Sequence, residues 1–156
     1  MKSLQEKYSP NGICFGCGPK NLSGLRIQSF PESESSQICI ASFSPELHHQ
    51  AFPGVINGGI IGALLDCHSN WTAAWSLMKS IGAEEPPCTV TSDFHVVLKR
   101  PTPLLSLDLK AEPLIETLRE DKVTISAVLF ANGKVCATCT GTFVAVKPGH
   151  PAFHRW

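Results

Sequence analysis

An α+β domain, in which an antiparallel β-sheet wraps one long central helix, is the fold that three features of this 156-residue chain predict. A proline-free stretch rich in Ala, Leu and Ile follows Asn57-Gly58-Gly59 and runs to about Lys79. Its apolar side chains fall on nearly every face, so the helix must be enclosed on most sides and not laid on one flank of a sheet. Strand-like segments precede and follow it, and Asn132-Gly133 between the last two is a strong two-residue hairpin signal.

In chain order, residues 1–24 are rich in Gly, Pro, Asn and Ser and read as an irregular arm. A strand over 25–30, a polar turn and a second strand over 38–43 should form a hairpin. Residues 45–53 read as a loop. The helix is expected over 57–79 with Asn57 as its cap, and spans roughly 30 Å at 1.5 Å per residue. After Gly82 and the Pro86-Pro87 break come strands over 88–98, 104–111, 122–130 and 134–146. The main domain is thus 25–147, and 148–156 is a tail.

Composition narrows the function. Thirteen basic residues balance thirteen acidic ones and only 17% of the chain is charged, so nothing equips it to neutralise nucleic-acid phosphates. The sparse charge implies that a second copy covers part of the surface, and a homo-oligomer is expected. The start, MKSLQEKYSP, has no apolar signal-peptide core, and a cytoplasmic location is expected. Seven scattered cysteines do not form a disulfide framework and read as reduced thiols. The apolar run 60–81 is interrupted by Asp66, His68, Asn70 and Lys79. A central charge in lipid costs about 3 kcal/mol, so a buried helix is expected and not a membrane span.

The segment HHQAFPGVINGGIIGALLDCHSNW resembles the hotdog-fold acyl-CoA thioesterases of the 4-hydroxybenzoyl-CoA and phenylacetic-acid-degradation type. Their corresponding stretch commonly reads as a glycine turn, His-Gly-Gly, and an acid nine residues after the histidine; Asn57, Gly58, Gly59 and Asp66 fall at those positions. The resemblance extends through CFGCGPKN, LKRPTPL and NGKVCATCTGTF. It implies hydrolysis of acyl-CoA thioesters by a dimer or dimer of dimers, with coenzyme A present only as part of the substrate and no other cofactor. The chain departs from the family at Asn57, where histidine is common, and at Ala51, where a polar Asn or Gln is frequent. His49 and Gln50 stand beside Ala51 and could substitute.

The residues themselves fit that chemistry. Thioester hydrolysis needs a carboxylate to activate water or attack the carbonyl, and donors aimed at the developing oxyanion. Asp66 is the candidate base or nucleophile, since an unpaired charge within an apolar helix is costly unless something requires it. The Gly58 N–H at the helix start is the candidate oxyanion donor, with Asn57 and Gly59 beside it. Asn70 lies one turn after Asp66 and could hold the carboxylate or the water. Lys99 and Arg100, at a strand end, are placed to meet coenzyme A phosphates. Cys67 and His68 read as packed residues. Cys14-Phe15-Gly16-Cys17 resembles half of a zinc knuckle, but a closed site needs four ligands, and Cys136 and Cys139 point to opposite strand faces; no metal is assigned. Two other readings remain open: a hotdog dehydratase or hydratase acting on a hydroxyacyl thioester, and a non-catalytic acyl-thioester binder.

Overall fold

The 24-residue helix that organises the molecule, α2 (Gly58–Ile81), begins and ends where its caps dictate. The Asn57 carboxamide oxygen accepts from the N–H groups of Gly59 and Ile60, and Gly82 at φ 65° closes the helix in the left-handed region that glycine adopts without strain. The computed structural model describes residues 2–154. Every residue from Cys67 to Met78 is buried, so this length of α2 is enclosed all round, as its uniform apolarity requires. No helix among the described residues is long and apolar enough to cross a membrane.

Six strands curl around α2 in the order β1 (Phe30–Pro31), β2 (Cys39–Phe43), β6 (Leu107–Pro113), β7 (Lys122–Ala131), β8 (Lys134–Ala145) and β5 (Thr89–Leu98), every neighbouring pair antiparallel. Strict alternation sorts the side chains of β6 and β7: Leu107, Leu109 and Ala111 of β6, and Val123, Ile125, Ala127 and Leu129 of β7, are buried toward α2. Leu64 and Leu65 meet them from the helix and are fully buried, so truncating either to alanine is expected to cost about 2–5 kcal/mol. The turn from β7 to β8 has Asn132 at φ 49° and Gly133 at φ 69°, the paired positive angles of the tight hairpin that Asn-Gly favours.

Four expectations from the sequence are corrected. The arm is not wholly irregular: α1 (Leu4–Tyr8) is nucleated by a capping box in which Ser3 and Glu6 satisfy each other's backbone N–H groups. The strand expected over 25–30 shrinks to Phe30–Pro31. Its earlier residues alternate as a strand should, but Leu25 and Ile27 donate to Phe15 and Gly16 of the arm, and Arg26 sits at φ 50°. The loop over 45–53 contains a single 3-10 turn at Leu47–His49 and the first strand of a small hairpin, β3 (Gln50–Phe52) with β4 (Val55–Ile56). Leu104 donates to Gly54 of that hairpin, which delays β6 from the expected residue 104 to Leu107.

A buried polar network fixes α1 to the centre. The Cys39 carbonyl can only accept, so the His68 Nε2 beside it at 3.2 Å carries the proton, and His68 Nδ1 accepts from Ser29 Oγ at 2.8 Å. Gln5 then bonds both Ser29 Oγ and the Ser29 N–H. Burial pushes the His68 imidazole down to about 4, and it stays neutral at the centre of the fold.

Candidate active site

Gly58, Gly62, Asp66 and Asn70 recur every four residues along α2, and the face they mark lies under β5. A Cβ at Gly58 would come 3.2 Å from Leu98, and one at Gly62 4.0 Å from Phe94. Further along, Thr91 bonds to Asp66 and Thr89 to Asn70. Strand and helix therefore run antiparallel, with Leu98 over the helix start and Thr89 over its fourth turn.

One irregularity makes this alignment possible. The register with β8 slips between Thr91 and Asp93, leaving Ser92 as the extra residue of a β-bulge. Before it, Thr89 and Thr91 face the helix; beyond it, Phe94, Val96 and Leu98 do. An unbroken strand would have turned Asp93 and His95 inward, placing a second carboxylate toward Asp66.

Asp66 is half-buried and held by a directional chain of donors. Thr91 Oγ1 donates to Asp66 Oδ1 at 2.7 Å, Asn70 Nδ2 lies 3.4 Å from Thr91 Oγ1 as its donor, and Thr89 Oγ1 donates to Asn70 Oδ1 at 2.6 Å. Each hydroxyl has one proton to give, so the chain fixes the Asn70 amide and ends on the carboxylate. The Asp66 charge also reaches β8: burial first, and Asp66 second, push the Cys139 thiol up to about 11.

The helix start leaves one donor available. Of the four N–H groups that an α-helix cannot satisfy internally, the Asn57 N–H donates to the His49 carbonyl at 2.9 Å, and Asn57 Oδ1 takes Gly59 at 2.7 Å and Ile60 at 3.4 Å. Among the described residues, none accepts from the Gly58 N–H, and Gly58 is exposed. The Gly59 amide is committed to the cap. Asn57 therefore uses its side chain to build the helix end.

His49 and Gln50 shape the approach to that end. The His49 carbonyl accepts from the Asn57 N–H at 2.9 Å, and its Nδ1 accepts from the Glu46 N–H at 2.9 Å. Its ring packs beside Phe43 and His48, and burial, then the charge of His48, hold its pKa below the ordinary histidine value. Gln50 Oε1 accepts from the Gly54 N–H at 3.0 Å and closes the β3–β4 turn. Lys99 and Arg100 follow Leu98 and are exposed, and among the described residues neither forms an ion pair. Their backbone N–H groups both bond to the Cys136 carbonyl, which anchors the strand end that carries them.

Thr89 and Thr91 are site residues that the sequence reading missed. The available signal was a pair of β-branched hydroxyl residues two apart in a strand, but their facing depends on the bulge.

No family model and no curated protein matches the chain. Solved structures do. A thioesterase superfamily protein of Shewanella loihica is 29% identical, with 78% of this chain and 91% of that one covered at a TM-score of 0.61. A thioesterase from Haemophilus influenzae aligns over 86% of this chain and 90% of its own at a TM-score of 0.68 and 19% identity. A phenylacetic acid degradation-related protein of Ralstonia eutropha aligns over 78% and 86% at 0.64 and 18%. The structural neighbours are thioesterase superfamily proteins, and the architecture is the hotdog fold.

Proposed function

We propose that the chain hydrolyses acyl-CoA thioesters, with Asp66 as general base or nucleophile and the Gly58 N–H as oxyanion donor. The observation that carries this reading is the placement of both groups on one helix face under β5, the acid held by Thr91 and the amide left without an acceptor among the described residues. In the general-base form, Asp66 takes a proton from water as its oxygen attacks the thioester carbonyl. The carbonyl oxygen gains negative charge beside the Gly58 N–H and the helix dipole; the C–S bond then breaks, and the sulfur takes back the proton held by Asp66 and leaves as the thiol. Asn57 acts here by capping, which presents Gly58. Asn70 positions the carboxylate through Thr91.

Eight residues of helix separate Gly58 from Asp66 by roughly 12 Å, too far for one carbonyl to meet both. The site we propose is therefore composite, the amide from one protomer and the acid from its partner, with two equivalent sites about a two-fold axis. β5 supports this arrangement: it is the end strand of the sheet, ten residues long, with Phe94 46% and Leu98 55% exposed beside the helix start. An end strand offers unpaired N–H and C=O groups for pairing with another chain, and its exposed apolar side chains suit such a contact. Lys99 and Arg100, just beyond that edge, are the proposed contacts for coenzyme A phosphates.

The test is thiol release by the full chain from a panel of acyl-CoA and aryl-CoA thioesters. Turnover that saturates with one acyl class supports hydrolysis. Saturable binding without release, or hydration of an enoyl thioester in place of release, would transfer the protein to the binding or hydratase reading.

A further inference from the structure

The Cys14-Phe15-Gly16-Cys17-Gly18 loop folds back onto the middle of α2, where Cys67 meets it. The sulfurs of Cys14, Cys17 and Cys67 all lie within 4.8 Å of one another, and Cys14 Sγ is 3.8 Å from Cys67 Sγ. Two thiolates bound to one Zn²⁺ at about 2.3 Å and a tetrahedral angle lie about 3.8 Å apart. From this geometry we propose that Cys14, Cys17 and Cys67 bind one Zn²⁺, with a water or small-molecule thiol as its fourth ligand. The site is separate from the proposed hydrolytic centre and does not depend on it.

The loop is constructed for close approach. A methyl group at Gly16 would collide with the Cys67 sulfur, and one at Gly18 with the backbone of Cys14. Both positions must be glycine for two thiols of a surface loop to reach one on a buried helix. The Gly18 N–H bonds to the Cys14 carbonyl at 2.8 Å, and the Leu25 and Ile27 N–H groups bond to Phe15 and Gly16, so the turn is held from both sides. Trp71, one turn beyond Cys67, donates its indole N–H to Cys17 Sγ at 3.4 Å, the kind of outer contact that orients a thiolate ligand.

Zinc binds cysteine as the thiolate, so all three thiols give up their protons on binding. Among the described residues no fourth protein ligand joins them. A cavity of about 230 Å³ bordered by Gly12, Ile13, Cys14, Cys17 and Trp71 leaves the fourth position open to a small ligand. The sequence reading stopped at a half-knuckle because the third thiol comes from the helix, 50 residues after Cys17.

The experiment is elemental analysis of the full chain, purified without chelator or histidine tag and dialysed against buffered zinc. One zinc per chain is expected, lost in Cys14→Ser and in Cys67→Ser and kept in Cys136→Ser, a buried cysteine outside the cluster. Because Cys67→Ser could fail to fold, the exposed Cys14→Ser carries the decision, together with Co²⁺ substitution, which should give a thiolate charge-transfer band that weakens when Cys14 is lost. Zinc removal should also quicken proteolytic cleavage within residues 9–24. Wild-type protein without zinc, Cys14→Ser with full zinc, or a disulfide among these cysteines recovered under reducing conditions would each overturn the assignment.

Discussion

The Thr91 hydroxyl gives its proton to Asp66 across 2.7 Å, from the edge strand to the helix that it covers. A hydrogen bond to a charged group contributes about 1.5–3 kcal/mol. Thr91→Val should therefore reduce kcat about 10- to 100-fold with KM little changed, while Thr91→Ser restores it. An unchanged kcat in Thr91→Val would mean that the contact is only structural.

Asp66→Asn should abolish thiol release, with a loss of about 10²–10⁴-fold, and leave the fold and substrate binding intact. Stopped thiol release alongside unchanged calorimetric binding is the expected pair of results. Activity within about threefold of wild type would remove Asp66 from the mechanism, since a general base contributes far more.

Gly58→Pro deletes the proposed oxyanion donor and should keep the helix. Proline suits the first helical position, and the preceding Asn57, at φ −63° and ψ 134°, already has the conformation that a following proline demands. Mixed with Asp66→Asn chains, which are inactive alone, Gly58→Pro chains should regain activity in heterodimers at one of two sites. No recovery from a mixture shown to contain heterodimers would dismiss the shared site.

Reversing the cations, Lys99→Glu with Arg100→Glu, should weaken coenzyme A thioesters by at least about tenfold and pantetheine thioesters little, because only the former carry the phosphates. Comparing KM for the two substrates decides it, and equal losses would assign the pair to solvent.

Acid should loosen the approach to the helix start. His49 is held neutral below its ordinary value, and protonation would replace the acceptor that its Nδ1 offers the Glu46 N–H with a donor. The unfolded chain takes up that proton first, near pH 6.5, so the stability contributed by neutral His49 is present above that pH and lost as pH falls from there through the lower folded value. The stability advantage of wild type over His49→Gln should shrink between about pH 8 and about pH 5, with faster hydrogen exchange at the Asn57 amide, which donates to the His49 carbonyl. An advantage independent of pH would separate the His49 ring from that turn.

The central helix and the four strands after it were legible in the sequence because each rests on a local signal: a cap at Asn57, a break at Pro86-Pro87, a turn at Asn132-Gly133. Residues 25–29 alternate as a strand, yet alternation does not say what an extended segment pairs with, and here it pairs with the arm. At the candidate site, Asp66 and Gly58 stood out because each is unusual where it is, a carboxylate in an apolar helix and a bare amide at its start. Thr89 and Thr91 did not, since one extra residue at Ser92 decides which side of β5 they occupy, and no periodicity reveals such a slip. Cys67 was hidden for the same reason at longer range: its neighbours are chosen by how the arm folds back.

The bulge at Ser92 divides the labour of a single strand. Its first half supplies hydroxyls to the acid, and its second half lays Phe94 and Leu98 along the glycines of the helix. Because the slip uncouples the two halves, mutation can remodel the apolar half without disturbing the alignment of Thr91 with Asp66. In the proposed enzyme, substrate preference could then drift over generations while the reacting group stays fixed, so the scaffold can take up new acyl chains without reinventing its chemistry.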